Sequence, residues 1–156
     1  MPRKPSADDA RLILQLYDLR REPEMRKARN WWLVNFWPAS LDDITKVESA
    51  FGTQENNWFR QVIGYWQMAA ALVLHGALNE NLFLEQAFSG EMFLIFTKVR
   101  PFLKEWRAKT NYPALLGNVE KIITRSKTGR DRLEWVTKRV AARQQSLAQA
   151  AGKSAQ

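Results

Sequence analysis

Apolar residues recur along this chain at intervals of three and four, and Pro23, Pro38, Gly52, Gly76, Gly90, Pro113, Gly129 and Gly152 cut the pattern into pieces of helical length. That spacing lays one apolar stripe along a helix, whereas a half-buried strand alternates, so the chain reads as all-α. A first helix starts at Ser6, where Ser6 and Asp9 form a capping-box pattern, and runs to Arg21. Leu12, Leu16 and Leu19 share one of its faces, widened by Ile13 and Tyr17. Glu22-Pro23 restarts the chain, because proline suits the first helical position, and Met25, Ala28, Trp32 and Phe36 continue the spacing to Pro38. A short helix follows Ser40, with Asp43 three residues on, and stops at Gly52.

The piece from Thr53 to His75 is the most apolar: Trp58, Val62, Tyr65, Trp66, Ala69, Leu72 and Val73 leave little polar circumference, which predicts a central helix buried on most sides. Leu82 to Phe88 reads as a short helix, with Ser89 as the cap of a longer one. Met92, Phe96, Val99, Leu103 and Trp106 keep one stripe continuous through Pro101, which predicts a kink rather than a stop. Beyond Asn111-Tyr112-Pro113, Leu115, Leu116, Val119, Ile122 and Ile123 make one more face, and Leu133, Val136, Val140 and Leu147 the last. The expected architecture is a single-domain irregular helical bundle of six or seven helices over residues 7–147. A flexible N-terminus is expected at 1–6 and a frayed or disordered tail at 148–156.

Composition narrows the chemistry. With 156 residues the chain has room for one core. Its 46% hydrophobic and 26% charged residues are ordinary globular values. Twenty-four Lys and Arg against 16 Asp and Glu give a formal +8, which predicts attraction to polyanions. That charge is unevenly spread. Residues 1–30 hold 8 basic and 5 acidic groups, 31–95 hold 2 and 7, and 96–156 hold 14 and 4, so the net runs +3, −5 and +10. There is no cysteine and only one histidine, His75, which leaves no thiolate or Cys/His metal site, no thiol nucleophile and no His-rich di-iron site. Neither a G-x-S-x-G elbow nor a glycine-rich nucleotide cradle occurs. No metal and no cofactor are expected. The opening residues run from basic into acidic rather than into an apolar core, so no secretory signal is expected at this start. Val62 to Leu78 holds Gln67 and His75 and lacks the roughly 18 uninterrupted apolar residues of a spanning helix, so no transmembrane helix is expected.

Three groups of residues are candidates for function. Among the acids, Asp8, Asp9, Glu22, Glu24, Asp42, Asp43, Glu55, Glu80, Glu91 and Asp131 fall at or near expected helix starts, where the dipole favours them. Asp18, Glu105 and Glu134 have basic neighbours one turn on. Glu48, Glu85 and Glu120 have neither explanation. Glu85 sits across the Gly76 turn from His75, and a half-buried Glu beside an imidazole can act as an acid or base. The alternative is a structural hydrogen bond or a solvated helix edge. The second group is Asn30 to Trp37, whose rings spread around most of one helix beside Arg26, Lys27 and Arg29. They would stack bases or anchor at a membrane interface, or else Trp32 and Phe36 are core while Trp31 and Trp37 cover neighbouring helices.

The third is the basic last third. Arg132, Arg139 and Arg143 fall together at the edge of the last helix's apolar face with Trp135 just beyond, and Lys127 and Arg130 join them at its start. These six would bind a polyanion or an acidic protein partner, or else their stems cover the rim of the apolar face while the heads are solvated. Ser126 to Arg130 has the look of an anion loop, but a Thr128 cap with Asp131 explains it as well.

Tyr65-Trp66-Gln67-Met68-Ala69-Ala70, Leu74-His75-Gly76-Ala77-Leu78 and Val99-Arg100-Pro101-Phe102-Leu103 resemble a bacterial family of small helical proteins catalogued as a domain of unknown function. The similarity covers roughly residues 10–125. It implies an all-α, cytoplasmic-facing domain and supplies no activity; some relatives carry a membrane helix for which this chain has no counterpart at its start. The sequence therefore favours a non-enzymatic interaction or regulatory protein with a protein partner or a second copy. A nucleic-acid-binding protein using the basic C-terminal helices comes second, and an enzyme using Glu85 and His75 third.

Overall fold

The computed structural model of the chain describes residues 3–155. Nine α-helices order the described residues: α1 Ala7–Arg21, α2 Pro23–Asn30, α3 Leu41–Ser49, α4 Gln54–Leu74, α5 Glu80–Phe83, α6 Gln86–Val99, α7 Leu103–Thr110, α8 Gly117–Arg125 and α9 Lys127–Ser154. A π-helical segment, Trp31–Asn35, extends α2, and a 3-10 turn, Arg100–Phe102, joins α6 to α7. The fold is a single all-α domain. It has more helices than the six or seven expected: the turn at Pro101 separates α6 from α7, while the boundary expected at Ser89 lies earlier, at Leu84-Glu85, between α5 and α6. Ser89 consequently lies buried inside α6 and caps nothing. The stripe across Pro101 is nonetheless continuous, since Met92, Phe96, Val99, Leu103 and Trp106 are all buried.

The local signals at the helix starts act as their chemistry dictates. Ser6 and Asp9 form a reciprocal capping box on α1, Ser40 and Asp43 another on α3, and Thr53 caps α4. Asp43 accepts the backbone N–H groups of Ala39 and Ser40, which holds its carboxyl below the usual range. Asp9 does more than cap. Its buried carboxylate takes both arms of the Arg3 guanidinium, the Ser6 backbone N–H at 2.7 Å and the Asn79 N–H at 2.8 Å, and it is held far below an ordinary aspartate, chiefly by Arg3. Asn79 returns a bond to the Arg3 carbonyl, so residues 3–6 are tied to the turn between α4 and α5.

α4 is the central helix, packed by α2, α3, α8 and the π segment, with α9 laid across α6 and α8 and α7 beside α3. A ring cluster fills one end of the core: Trp32 stacks on Phe59 at 5.2 Å between centroids, Phe36 meets Trp32 edge-on, and Trp106 closes on Phe59. Tyr65 donates its hydroxyl to the Leu16 carbonyl, pinning α1 onto α4.

Only Ser126 separates α8 from α9. Its hydroxyl accepts the Gly129 N–H at 3.0 Å, so Ser126 is the cap, and the expectation of a Thr128 cap is corrected: Thr128 lies within the first turn, and Asp131 pairs with Lys127 instead. So tight a joint brings Gly129 against the end of α8. A β-carbon there would lie 2.2 Å from the Ile123 carbonyl oxygen, which is backbone and has no rotamer to yield. Gly129→Ala is expected to destabilise the fold by about 2 kcal/mol, the ordinary cost of overpacking, although alanine is the better helix former elsewhere. Gly152→Ala, with open space around its β-carbon, serves as the control in a denaturant titration and should be neutral or slightly stabilising.

Candidate functional site

A cleft lies between the π segment, α6 and α9. It encloses about 600 Å³ and its walls are mainly apolar: Leu33 and Trp37 from one side, Leu94 from α6, and Trp135, Val136 and Val140 from α9. α9 supplies its wall by ordinary helical spacing. Val136 and Val140 face inward and are buried, while Trp135 is 52% exposed at the lip. Arg139 lies over the Trp135 ring at 4.8 Å, and Arg143 stands one turn further along. Within the described residues neither arginine has an ion-pair partner.

Of the six basic and aromatic residues expected to form one stripe, the structure brings Trp135, Arg139 and Arg143 together on this cleft and sends the others elsewhere. Arg132 turns inward. Its guanidinium donates to the Leu84 carbonyl and lies over the Phe93 ring at 5.2 Å, and burial lowers its pKa. Arg130 donates to the Thr124 carbonyl at 2.8 Å, and Lys127 pairs with Asp131 at 2.5 Å. Glu85 is exposed at the N-terminal flank of α6, His75 is exposed at the end of α4, and no hydrogen bond joins them. Of the other two unexplained acids, Glu48 accepts the Trp106 indole N–H at 2.9 Å and Glu120 pairs with Arg107 at 2.6 Å.

Two buried charged groups, Glu91 in the cleft lining and Lys98 against its Trp37 wall, have uses that the sequence reading missed. Glu91 has only 5% of its side chain exposed. It accepts from Arg29 at 2.8 Å and from the Trp66 indole N–H at 3.3 Å, with Arg20 at 3.7 Å. A carboxylate between two guanidiniums leaves the cleft floor with no free negative charge. Lys98 is fully buried on α6. Its ammonium donates to the carbonyls of Trp32 and, at 3.0 Å, Phe36, and sits 3.6 Å from the centre of the Trp37 ring. Those carbonyls lie at the C-terminal end of the π segment, where a cation meets both unsatisfied oxygens and the negative end of the helix. Among the described residues no carboxylate pairs with it, and burial pushes the Lys98 ammonium down to about 7. Trp37 is thus a cleft wall on one side and the cover of a buried amine on the other.

The ring-rich segment has divided uses. Trp32 and Phe36 are core, Trp31 stacks on Phe36 at 4.7 Å, and Arg29 is committed to Glu91. Arg26 and Lys27 border a separate hollow of about 470 Å³ beside Trp31 and Trp58, where Lys27 pairs with Glu24 at 2.7 Å. Among the described residues no group of three or more His, Asp or Glu is placed to hold a metal ion, and no helix is long and apolar enough to cross a membrane.

No curated protein and no solved structure matches the chain. A family model matches residues 5–126, ending one residue before α9 begins, so one wall of the cleft comes from the matched region and the other from beyond it. That match covers most of the chain, which therefore belongs to the family described as domain of unknown function DUF4760.

Proposed function

We propose that this protein is a non-enzymatic interaction module whose binding face is the cleft between the π segment, α6 and α9. The observation that carries this reading is the lip of that cleft. Trp135 is half exposed above a mainly apolar wall, and the two arginines beside it are not consumed by the fold, although Arg132 one turn earlier is. A large ring at the edge of an apolar cleft with arginine beside it is the composition of an interface anchor rather than of a reaction centre. Glu85 and His75 offer no comparable convergence, being exposed on separate helix ends. A benzophenone amino acid placed at Trp135 or Arg143 is expected to yield one dominant crosslinked species in cells. The same group at the exposed Leu14 on α1 should yield none. Equal crosslinking from all three positions, or none from the cleft, would overturn the assignment.

A further inference from the structure

We infer that the occupant of this cleft is an acidic amphipathic helix of another protein, laid alongside α9; the inference rests on the interaction reading above and adds the partner's shape and charge. Shape follows from α9 itself. Its last buried residue is Val140, yet the helix continues for about 21 Å at 1.5 Å per residue to Ser154; Arg143 still lines the cleft, Leu147 is half-buried, and the residues after it are exposed. A lone helical arm of that length is marginal in water unless something packs on it. The spacing of the cleft wall also runs on into the arm: Val136, Val140, Arg143, Leu147 and Ala150 follow at 4, 3, 4 and 3, the seam that a second helix covers. A concave apolar cleft that opens into a straight helical seam accepts a helix in a groove better than it accepts the flat surface of a bilayer.

Charge selects the partner. From Trp135 to Gln156 the chain carries Lys138, Arg139, Arg143 and Lys153 and no Asp or Glu; Lys138 pairs with Glu134 at 3.0 Å, which leaves Arg139, Arg143 and Lys153 without an ion-pair partner among the described residues. A second copy would bring the same three cations against these, and like charges across an interface disfavour pairing. Among the described residues Glu91 is the one carboxylate lining the cleft, and it is already neutralised by Arg29 and Arg20. Base stacking on the face of Trp135 that Arg139 covers would first have to displace its guanidinium.

The test titrates the full-length protein, observed through the indole N–H signals of Trp37 and Trp135. The titrants are two designed helices with identical leucine anchors, one flanked by Glu and one by Lys, a single-stranded oligonucleotide, and anionic vesicles. The acidic helix should move both indoles and bind about ten-fold or more tightly than the basic one, and R139E/R143E should reverse that order with the circular dichroism spectrum unchanged. Tighter binding of the basic helix, the oligonucleotide or the vesicles at these indoles overturns the acidic-helix inference and leaves the cleft reading standing. So does equal binding of the two helices, or a dimer in light scattering that protects Trp135. If none of the titrants moves the cleft indoles and no dimer forms, both fall together.

Discussion

Glu91→Ala should lower the stability of the fold by about 3–5 kcal/mol, the cost of stripping the partner from buried charge. In wild type the Glu91 carboxylate is nearly inaccessible and joins Arg29 of α2, Arg20 of α1 and the Trp66 indole of α4 to α6. Removing it leaves Arg29 only the Arg20 carbonyl at 3.4 Å, and leaves Arg20 the Phe88 carbonyl and the faces of Tyr17 and Trp66. For a domain of this size the loss corresponds to a fall of roughly 10 °C in Tm. Glu91→Gln keeps the shape and one acceptor and should lose about half as much. The decisive measurement is the double variant Glu91→Leu with Arg29→Leu, because exchanging both partners for apolar groups is far less costly than orphaning one. If the double variant is as unstable as the sum of the two single ones, the pair is not coupled and the account of α1, α2 and α6 being clamped by this carboxylate is wrong.

That clamp also shows where the sequence was legible and where it was not. Helix starts were legible because a cap is local: Ser6 and Asp9, or Ser40 and Asp43, meet within one turn whatever the rest of the chain does. The buried stripes from Met25 to Phe36 and from Met92 to Trp106 were legible for the same reason, since helical spacing alone puts those residues on one side. Glu91 has an equally local explanation as an acid near a helix start, and that explanation is incomplete, because its partners lie 62 and 71 residues away in sequence. Asp9 is the same case, a cap that also reaches Arg3 and Asn79. Local sufficiency hides long-range use.

The cationic stripe on α9 failed in the opposite direction. Helical geometry correctly placed Arg132, Arg139 and Arg143 on one edge, but periodicity says nothing of where a neighbouring helix ends. The Leu84 carbonyl happens to lie within reach of Arg132 and not of the other two. The break at Leu84-Glu85 that exposes this carbonyl was itself hidden, because no glycine or proline marks it. The family description names no activity, so the cleft has to be judged by its own residues.

Lys98 supplies the largest expected pH effect. The sign follows from which state holds the proton. Unfolded, the amine titrates near the ordinary lysine value of about 10.4; folded, burial without a carboxylate partner brings it to about 7. Between those values the unfolded chain carries a proton that the native state has released, so stability should rise as pH rises from about 7 towards 10, and it should be flat in this respect below 7. The expected contribution between pH 6 and pH 9.5 is on the order of 3 kcal/mol, which is large against the total stability of a domain this size. Lys98→Met keeps the length of the side chain and cannot titrate. Its stability relative to wild type should therefore be highest at pH 6, where wild type buries an ammonium, and lowest at pH 9.5, where the neutral amine still donates to the carbonyls of Trp32 and Phe36 and methionine cannot. Denaturant titrations of both proteins at the two pH values separate this from every other titrating group, because all the others are common to the pair. Parallel stability profiles would mean that the ammonium stays charged in the native state, held by the two carbonyls and the Trp37 ring strongly enough to outweigh its burial. The predicted fall of that difference from pH 6 to pH 9.5 would instead show that the wall of the cleft rests on an amine that is neutral above about pH 7.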